Sequence, residues 1–381
     1  MPDPRADTSS ETFGRFFLPG PTEVHPAVLQ AQARPMIGHR GPAVEDLMGR
    51  LQDGLKLVFR TERPVFVSTS SATGMMEAGA RNGIGKRLLA LVNGAFSDRF
   101  AKIAESCGKQ VDRLEVSWGQ VHDPSAVEEK LESGDYDAVT IVHSETSTGA
   151  LNRVAEVAGV VGRRDDTLLL VDSVSGLGGA DVRTDEWGLD WVLTGTQKAL
   201  AVPPGLAFGV ASESMMERAA TLPDRGTYFD LEKFAAKIGK NQTPNTPAVS
   251  LMYALDVQLQ RIREEGLDGR LDRHEQMARV CWAWVDRMRE GEGLDLRVLV
   301  EDPAHRSPTV TCILLPEGLS GVNIVSAMRE KGFIIGTGYG KMKQEAIRIG
   351  HMGDHTVDEL EQLLSVLAET LTEATTTTTH A

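Results

Sequence analysis

Three cysteines in 381 residues, Cys107, Cys281 and Cys312, are too few and too scattered for a disulfide framework, and no CxxC pair suggests a metal site. Such usage fits a reducing compartment, and a cytoplasmic location is expected. No apolar run approaches the ~20 residues that a membrane-spanning helix needs. The polar start MPDPRADTSSETFGRFF also lacks the apolar core of an export signal, so a soluble, unexported protein is expected. A basic stripe is missing too. The net charge of −14 is spread along the chain, which argues against a sequence-independent grip on nucleic acid and leaves a small molecule as the expected partner. No internal repeat is visible. No GxGxxG follows an early strand, so a nicotinamide-dependent dehydrogenase lacks its fingerprint.

What is present is the composition of a folded protein, 41% hydrophobic and 25% charged. The length favours a large domain with a smaller one beside it. Short apolar runs alternate with amphipathic stretches through the first two thirds, the pattern of an α/β domain with a mostly parallel sheet. Strands are expected at 64–69, 87–93, 138–143, 167–173, 190–195 and 206–212. FSDRFAKIAESCG places Phe96, Phe100, Ile103 and Cys107 on one helical face, and DPSAVEEKLESG opens with Asp123 as N-cap and Pro124 at the first helical position. A longer helix is expected from Val249 to Glu265. Beyond it the pattern changes to a smaller α+β unit: a charged helix at about 268–290, strands in PTVTCILLP, FIIGT and AIRIGH, and helices in GVNIVSAMREKG and DELEQLLSVLAETL. The expected division is therefore a large domain at 13–255, whose N-terminal segment could pack on a small domain at 256–373. Residues 1–12 and the low-complexity end at 374–381 are expected to be disordered tails.

Two residues carry the chemistry. Asp172 ends the apolar run TLLLVD, and Lys198 follows the run DWVL, 26 residues further on. Ligands of open α/β sheets bind at that edge. Taken singly, a strand-end Asp is more often a turn cap, and such a Lys more often lies along the surface. Together they are the two protein groups that pyridoxal phosphate needs: an amine able to form a Schiff base, and a carboxylate able to hold a pyridine nitrogen protonated. A phosphate receptor is available in STSSATGMMEA, where hydroxyl residues lead from a strand into a helix whose N–H groups and dipole favour an anion. As a lone pattern, plain helix capping explains that stretch as well.

In order, FLPGPTEVHP, TSSATGMMEA, VNGAFSDR, HSETSTG, VDSVSGLGG, TGTQKALAVPPG, TPNTPAVSLMYAL and IRIGHMG resemble the signature segments of class V pyridoxal-phosphate aminotransferases, in the alanine–glyoxylate and serine–glyoxylate (serine–pyruvate) group. The likeness runs from about Phe13 to about Thr370. It implies the fold of a fold-type I pyridoxal-phosphate enzyme. It also implies a transamination from a small amino acid such as alanine or serine to a 2-oxo acid such as glyoxylate or pyruvate, by a ping-pong route.

By the same resemblance, Lys198 carries the cofactor and moves the substrate proton, and Asp172 bonds the pyridinium nitrogen. Ser71, Ala72 and Thr73 form the phosphate turn, with Gln197 as a further ligand. Thr146 stands near the ring oxygen, Phe96 stacks on the ring where many relatives have tryptophan, and Val174 covers the opposite face. Arg348 clamps the substrate carboxylate, Gly20 lets backbone approach the substrate, and His39 and Arg40 lie in a loop near the substrate mouth. Gln242, Asn245 and Thr246 reach the phosphate of a partner subunit, which implies a homodimer with shared sites. Ala72 departs from a frequent glycine and requires a negative φ there.

Other readings remain open on sequence alone. A lyase or cysteine desulfurase of the same fold would need a mobile cysteine, yet Cys107 and Cys281 fall on expected helices and Cys312 in a strand. Donors such as aspartate, ureidoglycine or 3-hydroxykynurenine fit the same motifs. A non-catalytic pyridoxal-binding protein is the reading from another class.

Overall fold

The computed structural model describes residues 13–379, so the expected N-terminal tail, 1–12, lies outside the described residues. A seven-stranded sheet is ordered Val65–Ser68, Ala207–Ala211, Trp191–Gly195, Leu168–Asp172, Ala138–Val142, Arg87–Val92 and Gln110–Glu115. Ala207–Ala211 runs antiparallel to both its neighbours, and every other pairing is parallel. All six strands expected for this region form within about a residue of their expected ends. The four of the sheet's middle, 138–142, 168–172, 191–195 and 207–211, are buried at every position. That is why they read as continuous apolar runs rather than as alternation. The seventh, QVDRLE, lies at the sheet edge and is only partly covered, so its polar residues hid it from a search for apolar runs.

Helices cover this sheet. Ala72–Gly83 packs closely against Trp191–Gly195 because a Cβ at Gly79 would lie 2.7 Å from Trp191 Nε1. Trp191 in turn donates that N–H to Met75 O at 3.2 Å, which ties the helix start to the sheet. In Ala95–Ser106 the buried residues are Ser97, Phe100, Ala101 and Ala104, with Ile103 and Cys107 packed at the margin of the core. Phe96 departs from the face expected for it: it sits in the first turn and lines a cavity instead. Asp123 caps Pro124–Glu132 by accepting from Ser125 N at 2.9 Å, as expected.

A second sheet of five strands is ordered Phe16–Phe17, Ile334–Thr337, Ala346–Ile349, Thr311–Leu314 and Arg297–Val298. Phe16–Phe17 pairs in parallel with Ile334–Thr337, so the N-terminal segment joins this smaller unit. Among the described residues two main apolar cores follow, beside two small clusters. The larger ends at Ile262, inside the helix Val249–Glu265; the smaller joins Phe17 to residues from Met277 to Leu371. That helix is continuous across 255/256, the boundary expected from sequence. The last helix, Val357–Thr379, runs through the threonine run that was expected to be a frayed tail from 374. Hydroxyls up to Thr376 turn back onto the backbone, as Thr372 Oγ1 does to Ala368 O (3.0 Å) and Thr375 Oγ1 to Leu371 O (2.8 Å), so these threonines satisfy themselves locally and stay helical. Among the described residues no helix is long and apolar enough to cross a membrane.

Candidate active site

The strands Val65–Ser68, Arg87–Val92, Ala138–Val142, Leu168–Asp172 and Trp191–Gly195 all point the same way, and their C-terminal ends open on one cavity of about 350 Å³. That volume is of the size small-ligand sites occupy. Each strand is followed by residues that line the cavity: Ser71, Ala72 and Thr73 after the first, Phe96 after the second, Thr146 after the third, Asp172 and Val174 at the fourth, and Gln197 and Lys198 after the fifth. Gly20 enters from the N-terminal segment. Ten of the residues singled out from sequence therefore meet in one place.

Lys198 is 7% exposed and Asp172 2%, too little for water to carry either charge well. Burial, with a smaller push from the nearby Glu145, raises the Asp172 carboxyl to about 7 against the opposing Val174 N–H and the Lys198 and Arg99 charges. Burial also draws the Lys198 amine down to about 8, helped by the Arg348 charge and resisted by Asp172 and Glu145. At neutral pH the carboxyl is therefore only partly ionised, and a minor but useful share of the amine is unprotonated, as a nucleophile must be. Asp172 Oδ1 accepts from Val174 N at 2.8 Å, and its other oxygen has no hydrogen bond among the described residues. Lys198 Nζ donates to Pro19 O. Gly20 makes that approach possible: its φ is +98°, and a Cβ there would lie 2.5–2.6 Å from Lys198 Cδ, Cε and Nζ.

The start of the helix Ala72–Gly83 fits a phosphate. Ser71 occupies the N-cap position but makes no side-chain capping bond, so its hydroxyl and the first N–H groups of the helix stay available to an anion. Plain capping, the commoner use of such a serine, is not what this one does. Ala72 has no positive φ, so the departure from glycine is accommodated. The residues present thus fit pyridoxal phosphate, because an anion receptor, a carboxylate, an amine and the Phe96 ring all line one cavity.

Arg348 stands just behind the cavity wall. Its Nε donates to Thr337 O (2.9 Å) and its Nη1 to Thr146 O (3.0 Å), while Nη2 has no hydrogen bond among the described residues. Among those residues it pairs with no carboxylate, so a rim ion pair with a protein acid is not its use. Burial lowers its pKa, a cost that a bound carboxylate would relieve. Its guanidinium lies 5.4 Å from the Tyr339 ring centroid. Thr146 Oγ1 lies 2.5 Å from Ser175 Oγ.

Five expected residues, Gln242, Asn245, Thr246, His39 and Arg40, are not at this cavity within one chain. Gln242 donates to Glu45 (2.8 Å), Asn245 and Thr246 lie in the same surface loop, and His39 is exposed. Arg40 Nη2 reaches Pro244 O at 3.4 Å, so the two loops lie side by side on the outside of the subunit.

Sequence reasoning missed Glu145, Arg99, Tyr339 and Ser175. Glu145 is fully buried and accepts from Ser97 N (2.9 Å), Phe96 N (3.1 Å) and Ser147 Oγ (2.6 Å), holding the start of the helix that carries Phe96. Arg99 follows Phe96 by three positions, so the helical repeat already placed both on one face. For Tyr339 no such signal exists, because a loop of the smaller unit brings it in.

A family model described as aminotransferase class-V matches residues 67–363. An uncharacterized aminotransferase of Methanocaldococcus jannaschii is 40% identical over 346 residues, covering 89% of this chain and 87% of that protein. L-aspartate–glyoxylate aminotransferase of Paracoccus denitrificans is 34% identical over 90% of this chain and 87% of its own length. Among solved structures, an alanine–glyoxylate aminotransferase from Nostoc sp. superposes with a TM-score of 0.87 at 30% identity, covering 94% of this chain and 95% of that one.

Proposed function

This chain belongs to the class V aminotransferases, fold-type I enzymes that work with pyridoxal 5′-phosphate, and from that premise we propose that it passes the amino group of a small 2-amino acid to a 2-oxo acid by a ping-pong route. Alanine and serine are the proposed donors, and glyoxylate and pyruvate the proposed acceptors. The observation that carries the reading is the meeting of a buried, partly deprotonated Lys198 with a buried Asp172 in one cavity.

Bound there, pyridoxal phosphate supplies a carbonyl carbon for the amine and a ring that delocalises negative charge from the substrate Cα. Lys198 Nζ would hold the resting cofactor and, once the substrate amine has freed it, would be the base that takes the proton from Cα and returns it, a task suited by a pKa of about 8. Asp172 keeps the ring nitrogen protonated through its uncommitted oxygen. Ser71, Ala72, Thr73 and Gln197 would bind the phosphate, and Phe96, Val174 and Thr146 would contact the ring and its substituents. Arg348 receives the substrate carboxylate on its fork, which orients Cα toward Lys198.

A homodimer completes this reading. Among the described residues Arg99 is, apart from Lys198, the one cation lining the cavity, so the phosphate dianion calls for further partners. Gln242, Asn245, Thr246, His39 and Arg40 stand together on the outside, where a second copy could receive them.

Mixing the cofactor-loaded enzyme with alanine or serine alone tests the reaction class. The expected result is one equivalent of 2-oxo acid per site without release of ammonia, followed by glycine when glyoxylate is added. Ammonia or sulfide release would instead assign a lyase. Cys281 and Cys312 argue against that rival: burial pushes both thiols up to about 12, and neither lines the cavity, nor does Cys107.

A further inference from the structure

We propose that Arg99 forms a second anion subsite in this active site, which selects substrates carrying a carboxylate on the side chain, the dicarboxylic 2-amino acids and 2-oxo acids. The inference rests on the transaminase reading above and names the substrate class of that same site.

Arg99 lines the cavity that holds Lys198 and Asp172, yet among the described residues it has no carboxylate within ion-pair distance. Its neighbours on the same helix are paired otherwise: Asp98 serves Lys102 at 2.5 Å and Arg113 at 3.6 Å. The Arg99 guanidinium is instead held by neutral groups. Nη2 donates to the Tyr339 hydroxyl at 3.2 Å, and Cζ stands 4.7 Å from the Phe96 ring centroid. Both contacts fix the plane of the fork without neutralising it, which leaves a positioned bidentate donor facing the site.

Its position relative to the reacting groups fits a second carboxylate. Lys198 Nζ lies 5.8 Å from the same Phe96 ring, so both cations approach one ring at the cavity wall. Tyr339 stands between two guanidinium groups, with Arg348 over its ring and Arg99 at its hydroxyl. A substrate whose α-carboxylate meets Arg348 would extend its side chain along Tyr339 toward Arg99. Arg99 also borders a second cavity, lined by Lys102 and Lys341 together with Asp98 and Glu115. With Arg99 the cations there outnumber the acids, so this flank of a net-acidic protein draws anions inward. An alanine or serine side chain leaves the Arg99 fork to water, so these donors still react but rank below an acidic donor that gives the fork an acceptor.

The test compares pairs that differ only in the distal charge, using the cofactor-loaded enzyme and its Arg99→Gln and Arg99→Lys variants. With glyoxylate as acceptor, aspartate should exceed isosteric asparagine in kcat/KM by about tenfold or more in the wild type. Arg99→Gln should bring that ratio close to one, and Arg99→Lys should restore part of it. By calorimetry, succinate should bind the wild type about tenfold more tightly than butyrate, and Arg99→Gln should abolish the difference. Equal handling of aspartate and asparagine by the wild type overturns the proposal, as does an Arg99→Gln variant that keeps the preference. A uniform loss for every donor together with weaker cofactor binding overturns it too, because Arg99 would then serve the cofactor. Absence of turnover with any amino donor would defeat the transaminase reading itself, whereas turnover without acidic preference defeats only the Arg99 subsite.

Discussion

Replacing Asp172 by Asn removes a charge that the fold holds unwillingly, and the cofactor-free protein should become more stable as it loses its activity. The carboxyl titrates near 3.8 in the unfolded chain and at about 7 in the folded one. At a pH below the ordinary value both states hold the proton and burial costs nothing. As pH rises, the unfolded state ionises freely while the folded state resists, so the penalty grows and is complete above the folded value. Each unit is worth about 1.4 kcal/mol, so the full penalty above neutrality is about 4 kcal/mol. Asn keeps the acceptor for the Val174 N–H but brings an amide that needs its own partners, which offsets about 1–2 kcal/mol. The net expectation is a gain of about 2 kcal/mol near pH 8 that vanishes or reverses near pH 4. Urea unfolding of both cofactor-free proteins at the two pH values measures it. A variant destabilised equally at both would refute the claim that Asp172 is held near neutrality by burial.

Three further outcomes follow from the same geometry. Arg348→Lys replaces a fork by a point charge and should raise the donor KM by about tenfold or more with a smaller change in kcat, as steady-state kinetics would report. Gly20→Ala places a Cβ against the tip of Lys198 in a backbone region that costs an L-residue about 1–2 kcal/mol, so turnover should fall and the lysine-linked visible band should shift, read by absorbance. Ser71→Ala should weaken cofactor binding by about threefold to tenfold, from a bond worth about 1 kcal/mol. It should leave cofactor-free stability almost unchanged, since Ser71 makes no capping bond, whereas a capping serine would lose about 1 kcal/mol in a melting experiment.

The sheet was legible because its central strands are buried on both faces and appear as unbroken apolar runs, with Asp172 and Lys198 at their ends. The edge strand Gln110–Glu115 was not, because partial exposure lets polar residues occupy it. Phe96 shows the limit of helical periodicity: it shares a face with Phe100 in projection, but at the first turn that face opens on a cavity rather than on the core. Arg348 was found in AIRIG, whereas Arg99 and Tyr339, which border the substrate side of the cavity, were not. Their significance lies in a contact between residues 240 positions apart, which no local pattern encodes. Glu145 stayed hidden for a similar reason, since its value comes from the helix start it meets across the fold.

Lys198 is the residue proposed to hold pyridoxal phosphate, and every other role at the cavity depends on it. Borohydride reduction of the cofactor-loaded protein, followed by peptide mass spectrometry, tests this directly. The predicted result is the reduced cofactor's mass on Lys198 alone, absent from a Lys198→Ala variant that also lacks the visible band. Cofactor mass on another lysine, or a Lys198→Ala variant that keeps both the band and turnover, would contradict it.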